Sequence, residues 1–285
     1  MSKVQISMEI FPPKKDIEFS SAFPVAKELS EIEPDFISVT YGAGGSRAGS
    51  TIEIASYIQN ELHIPAMAHL TCVGCTGSDI EKLCREFEKN NISNVLALRG
   101  DRPKDMSDEQ YASREFTYAA NLVDFLKSHT DFEIWGACYP EKHFESFSKE
   151  ADLMHMKEKQ DRGVSQFITQ LFFDNDFFYE FREKAARKGI TAPIHAGIMP
   201  ITSAGQIGRS ISLSGSSVPK ALSDIIANYG ENPEDMYKAG IDYAIRQCAD
   251  LLENGVDGLH IYTMNKPDVA KQIVKNIALQ RTKQP

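Results

Sequence analysis

Short apolar runs recur along the chain, and most are followed by a stretch whose apolar positions return every three or four residues. The short runs predict strands at 3–11, 35–41, 65–71, 94–99, 132–139, 166–173, 193–199 and 257–263. The stretches at 78–90, 115–128, 149–162 and 236–254 predict helices. In 78–90, Ile80, Leu83, Cys84 and Phe87 fall on one helical face. In 236–254, Ala239, Tyr243, Ile245, Cys248, Leu251 and Leu252 make a broad apolar stripe.

Strand and helix alternate eight times, which predicts an α/β protein with one closed (β/α)8 barrel spanning residues 1–285 as a single domain. An open doubly wound sheet is the competing fold, and it usually carries a glycine-rich phosphate turn after its first strand. Here that strand runs into Phe11-Pro12-Pro13, and proline has no N–H to offer a phosphate. The glycine cluster "YGAGGSRAGS" follows the second strand and fits neither the dinucleotide nor the P-loop pattern, so it reads as a loop over the barrel mouth. The segment 203–235, rich in Ser, Gly and Pro, predicts an enlarged connection after strand 7, with a second short helix from Lys220 to Tyr229.

Composition narrows the function. The chain has 285 residues, 42% hydrophobic, and a net charge of -9, long enough for one large core. An acidic chain without a basic run is a poor partner for nucleic acid or an anionic membrane. No signal-type or membrane-spanning apolar run is present, so a cytoplasmic location is expected. Five cysteines, an odd number, argue for thiols rather than a disulfide framework, and the single Cys72-Val73-Gly74-Cys75 pair reads as incidental. No HxH, HExxH or acidic cluster suggests a metal site.

Barrel enzymes place their chemistry at the C-terminal ends of the strands. Those ends carry Glu9; Thr40 and Tyr41; His69 and Thr71; Arg99 and Asp101; Tyr139, Glu141 and His143; Gln170; and Tyr262, Thr263 and Asn265. The run "NVLALRGDRP" is the plainest case: a buried strand ends in two opposite charges around Gly100, with Arg99 and Asp101 expected to point the same way. Glu9, between Met8 and Ile10, needs a partner or a raised pKa. His195 and His260 lie mid-strand and are expected in the core.

The ordered set "MEIFPP", "DFISVTYGAGG", "AHLTC", "LALRGD", "YPEKH", "ITQLFFD", "GIMPI" and "HIYTMN" resembles the methylenetetrahydrofolate reductase family, in its short single-domain bacterial form, from about residue 5 to 278. The resemblance implies an FAD-containing barrel that reduces 5,10-methylenetetrahydrofolate to 5-methyltetrahydrofolate with NADH or NADPH, supplying methyl groups for methionine synthesis, and a chain that associates with further copies of itself. It implies Glu9 as the acid that opens the folate ring and Asp101 as the residue between flavin and pterin. Thr40, Tyr41, Ala43, His69, Arg99, Gly100, Tyr139 and His143 would line the flavin, with Ala119, Asp152, His155 and Lys159 holding the rest of the FAD. Gln170 and Gln206 would reach folate or nicotinamide, and Lys266 the folate.

Four positions depart from the family pattern. Ser210 stands where an aromatic usually stacks, and a phenylalanine there would be expected to restore that platform. His155 and Glu158 stand where a neutral amide and a basic residue are usual, and Lys266 replaces an arginine. Competing readings are another FAD-dependent barrel acting on a C–N bond, such as a proline-dehydrogenase-like enzyme, a metal-dependent barrel hydrolase using His69 and Asp101, and a non-catalytic interaction module.

Overall fold

The computed structural model describes residues 4–13, 20–41 and 48–281. The chain runs β1 (Gln5–Ile10), α1 (Ala22–Ser30), β2 (Phe36–Val39), α2 (Ala48–Ser56) with a π-helical turn over Tyr57–Glu61, β3 (Ala66–Thr71), α3 (Gly77–Lys89) and β4 (Asn94–Leu98). It continues through α4 (Asp108–Ala112), α5 (Ala119–His129), β5 (Glu133–Cys138), α6 (Lys149–Arg162), β6 (Gln166–Thr169), α7 (Asn175–Arg187) and β7 (Ile194–Ile198). After β7 come α8 (Ala204–Ser214), α9 (Lys220–Tyr229) and α10 (Pro233–Glu253), then β8 (Gly258–Tyr262) and α11 (Pro267–Arg281). All eight strands pair in parallel in chain order, and β8 closes on β1 with Gln5 opposite Gly258 and Glu9 opposite Tyr262. This is the expected (β/α)8 barrel, with the enlarged connection after strand 7.

Alternation along each strand divides the core in two. Met8, Ile10, Ile37, Val39, Ala68 and Leu70 point outward into one apolar layer beneath the helices. Phe36, Met67, Leu96, Trp135 and Ile168 fill the barrel's interior. A third cluster, with Leu171, Phe173, Ile201, Leu222 and Met236, seats α9 and α10 against the chain after β6 and β7.

Helix starts follow local capping chemistry. Thr76 and Asp79 form a reciprocal capping box on α3, and Asn232 caps α10 with Pro233 in its first turn. Ser107 and Gln110 cap α4, a short helix too brief to show apolar periodicity in sequence. The strands end earlier than the apolar runs: β4 stops at Leu98 and β6 at Thr169. Among the described residues, no helix is long and apolar enough to cross a membrane.

Candidate functional site at the barrel mouth

The first cluster forms around β1. Met8 and Ile10 are fully buried outward, so alternation turns Ser7 and Glu9 toward the barrel axis. The Glu9 carboxyl lies 3.4 Å from His69 Nε2 on β3 and 3.6 Å from His260 Nε2 on β8, and keeps 18% of its side-chain surface exposed. Burial raises the Glu9 pKa, against a smaller opposing effect of His69. Burial also holds His69 down to about 4 and His260 to about 3, so both imidazoles are neutral at neutral pH. A carboxyl facing two neutral rings is biased toward its protonated form.

His260 is buried, as expected of a mid-strand histidine, but it is not a passive core residue. Its Nδ1 lies 2.7 Å from Ser7 Oγ, and Ser7 Oγ donates to the Leu259 carbonyl at 3.3 Å. The Nε2 atom of the same ring faces Glu9 and, at 3.4 Å, Ser38 Oγ. His195 fits the expectation: its ring packs on Trp135 and Phe36 inside the barrel, with Nε2 3.1 Å from Gln166 Oε1.

A second cluster joins the ends of β4 and β5. Both terminal nitrogens of Arg99 bind the Glu145 carboxylate, and its Nε donates to the Gly100 carbonyl. This pair raises the Arg99 pKa and lowers that of Glu145. The Glu145 N–H donates to His143 Nδ1 at 3.2 Å, and the His143 N–H donates to Asp152 at 3.0 Å. Tyr139 packs edge-on against His143, and burial, with Asp152 adding, pushes its phenol pKa up. Burial and Arg99 hold His143 below the usual histidine range.

Arg99 and Asp101 both lie beyond the end of β4 at Leu98, so the alternation behind their expected common direction does not apply to them. Gly100 between them sits at φ 84°. An added Cβ on Gly100 would lie 2.9 Å from Thr71 Cβ, which makes glycine the residue that fits this turn. Arg99 turns to Glu145, while Asp101 is exposed.

A third cluster lies between β7 and β8. Gln206 accepts from the Thr202 N–H at 3.1 Å and donates to the Pro200 carbonyl at 2.9 Å. Lys266 Nζ donates to Thr202 Oγ1 at 3.1 Å, and Gln206, Lys266 and Tyr262 line one shallow recess. The Tyr262 hydroxyl donates to the Thr169 carbonyl at 2.6 Å, laying its ring across Gly197.

The remaining candidates stand apart from these clusters or at their edge. Thr40 and Tyr41 follow β2, half-buried. Gln170 directs its amide oxygen to the Leu171 N–H. Lys159 donates to the Ala137 carbonyl, and burial lowers its pKa. Ala119 opens α5, and His155 stacks its ring on neighbouring Tyr118 with centroids 6.2 Å apart. Ala43 lies outside the described residues. Ser210, expected at an open stacking position, is only 6% exposed and donates to the Gln206 carbonyl.

Cys72 and Cys75 lie in the loop after β3 as free thiols, and burial pushes Cys72 up to about 12. Among the described residues, no group of three or more His, Cys, Asp or Glu comes together as a metal-binding set. The reading of strand ends missed Ser7, Ser38, Tyr118 and Glu145. Ser7 was within reach of the period-two pattern, two residues before Glu9 on the same face. Glu145 lies in a loop, where no periodicity points to a partner.

Comparison with known proteins carries the same chain further. The methylenetetrahydrofolate reductase family profile matches residues 1–278. A 5,10-methylenetetrahydrofolate reductase from Pectobacterium carotovorum is 30% identical, covering 98% of this chain and 91% of that protein. Methylenetetrahydrofolate reductase (NADH) 1 of Arabidopsis thaliana is 34% identical over 96% of this chain, which spans 48% of the plant protein. Among solved structures, an uncharacterized Clostridium thermocellum protein that binds two copies of 5-methyl-5,6,7,8-tetrahydrofolic acid shares the fold, with TM-score 0.67, 14% identity, and coverage of 99% of this chain and 96% of that one. This closed eight-stranded barrel, matched almost end to end, belongs to the methylenetetrahydrofolate reductase family.

Proposed function

We propose that this protein reduces 5,10-methylenetetrahydrofolate to 5-methyltetrahydrofolate, with bound FAD and with NADH or NADPH as reductant. The observation that carries the reading is the Glu9 carboxyl, raised in pKa by burial and set between neutral His69 and His260 at the mouth of the barrel. Opening the bridged ring of the folate requires a proton on the departing nitrogen. A carboxylic acid whose pKa is raised above the ordinary value, so that it holds its proton to higher pH, suits that task.

The second cluster fits a flavin dinucleotide. Arg99 offers a planar cationic fork, the Asp152 carboxylate suits sugar hydroxyls, and the exposed Tyr118–His155 pair offers a flat surface for a base. When bound, FAD supplies the two-electron chemistry linking nucleotide to folate. Arg99, His143, Tyr139 and Asp152 then bind and orient it; Glu9 holds the proton on its carboxyl oxygen; Gln206 and Lys266 hold the substrate from the β7–β8 side. Lys266 can reach a carboxylate as a point charge rather than through a bidentate fork. Asp101 is assigned to the face between flavin and pterin.

The test is anaerobic. Purified protein should be yellow, should bleach with NADH or NADPH, and should recover colour on adding 5,10-methylenetetrahydrofolate while 5-methyltetrahydrofolate forms. A protein that takes up no flavin, or that makes no methyl product when reduced chemically, overturns the reading.

A further inference from the structure

The exit of β1 is held by an unusual device on β8. The last ladder pair between these strands is Glu9 with Tyr262. Beyond it, Thr263 donates to the Glu9 carbonyl through its hydroxyl at 2.7 Å and through its N–H at 3.4 Å. Asn265 then uses both ends of one side-chain amide on Phe11, two residues after Glu9: Oδ1 accepts from the Phe11 N–H at 3.0 Å, and Nδ2 donates to the Phe11 carbonyl at 2.9 Å. The side chain thus replaces a neighbouring strand where the chain can offer none, since Pro12 and Pro13 follow and have no N–H.

Reaching this arrangement requires strained backbone. Met264 and Asn265 both adopt left-handed conformations, at φ 52° and 55°, and the Asn265 N–H donates to Thr263 Oγ1 at 3.2 Å. Non-glycine residues persist there when their surroundings over-determine them. On the other flank, Thr40 N–H donates to the Ile10 carbonyl at 3.0 Å. The segment Glu9–Phe11 is therefore pinned from both sides, just where the Glu9 side chain faces His69 on β3 and His260 on β8.

We propose that Asn265 and Thr263 are positioning residues, which clamp the backbone of Glu9 and Phe11 so that the Glu9 carboxyl stays lodged between His69 and His260. This rests on the reading of Glu9 as the acid of the folate step. The clamp confines the carboxyl within that half-dry niche. Loosening it lets water reach the group and lets the carboxyl drift from the reacting nitrogen. Misplacement of about 1 Å can slow a reaction on the order of 10²-fold.

Asn265→Ala and Thr263→Val test this in the protein as purified, each removing side-chain bonds without adding charge. The first readout is the titration of Glu9, followed by NMR of carboxyl-labelled glutamate and assigned with Glu9→Gln. It should move toward the ordinary glutamate range in both variants. The second is stopped-flow kinetics: the folate step should slow by about 10- to 10²-fold with folate KM changed less than about 3-fold, while reduction by the nucleotide stays within about 3-fold. Glu9 titrating at its wild-type pH in a folded variant, or both steps falling together, overturns the proposal. If one variant does not fold, the other decides. Failure of the underlying reading is separately visible: an intact folate step in Glu9→Gln removes Glu9 as the acid, whereas the NMR titration still reports on the clamp.

Discussion

Both terminal nitrogens of Arg99 are bound by the carboxylate of Glu145, which reaches back from the loop between β5 and α6. The fork best suited to an anionic cofactor is thus held by an anion of the chain itself. Glu145 keeps 45% of its side-chain surface exposed, so solvent screens the pair and its strength is that of a surface bridge. Glu145→Gln is expected to tighten FAD by up to about 5-fold, corresponding to ~1 kcal/mol. Arg99→Ala is expected to lose the cofactor on dialysis. Fluorescence titration of the flavin-free protein measures both, and weaker binding in Glu145→Gln would show that the pair shapes the site rather than competing for it.

Glu9→Gln keeps the shape of the side chain and removes its proton. The folate step is expected to fall at least ~10²-fold, the ordinary scale for general acid catalysis, with nucleotide oxidation within a few-fold. In the wild type the folate step should decline as pH rises through the raised Glu9 pKa. Stability carries the same sign. The folded protein holds this proton above the ordinary value of 4.5, so the wild type loses stability as pH rises from there through the folded pKa. Glu9→Gln has no such loss, and its melting temperature relative to wild type should rise across that window. A constant difference would place Glu9 in an ordinary solvated setting.

The histidines predict an acid limit. His195 is held down to about 3 by burial, with His260 adding, whereas the unfolded chain binds a proton near 6.5. The unfolded state therefore takes up a proton that the folded state excludes, and stability falls as pH drops below about 6.5. Each such histidine adds up to about 1.4 kcal/mol per pH unit to that slope. Urea unfolding of His195→Leu between about pH 6 and pH 5 should show a slope shallower by close to one proton. An equal slope would mean that His195 is protonated in the folded protein.

Ser210 lies on the inner side of α8, 6% exposed, with its hydroxyl on the Gln206 carbonyl. Ser210→Phe has no open face to enter, so it is expected to destabilise by about 1–3 kcal/mol through overpacking. Ser210→Ala should be nearly neutral. Thermal melts decide between this and a platform for nicotinamide: an undiminished melting temperature with a lower nucleotide KM would restore the stacking role.

Much of the barrel was already written in local patterns. A strand buried on both faces needs a run of apolar residues, and α6 and α9 begin and end where the sequence places them, at 149–162 and 220–229. Glu9 was legible for the same reason, because a carboxylate between Met8 and Ile10 is physically conspicuous. What the chain could not announce was which groups meet across it. His260 reads as a core histidine until barrel closure brings β8 against β1 and sets its Nε2 3.6 Å from Glu9. Arg99 and Asp101 read as a continuation of a strand until the structure ends β4 at Leu98 and turns the chain at Gly100, at φ 84°. Glu145 and Asn265 occupy loops, whose conformations are decided by distant partners rather than by period. Periodicity records which face of an element is buried; it holds no information on what an element more than 100 residues away presents to that face, and only closure of the barrel supplies it.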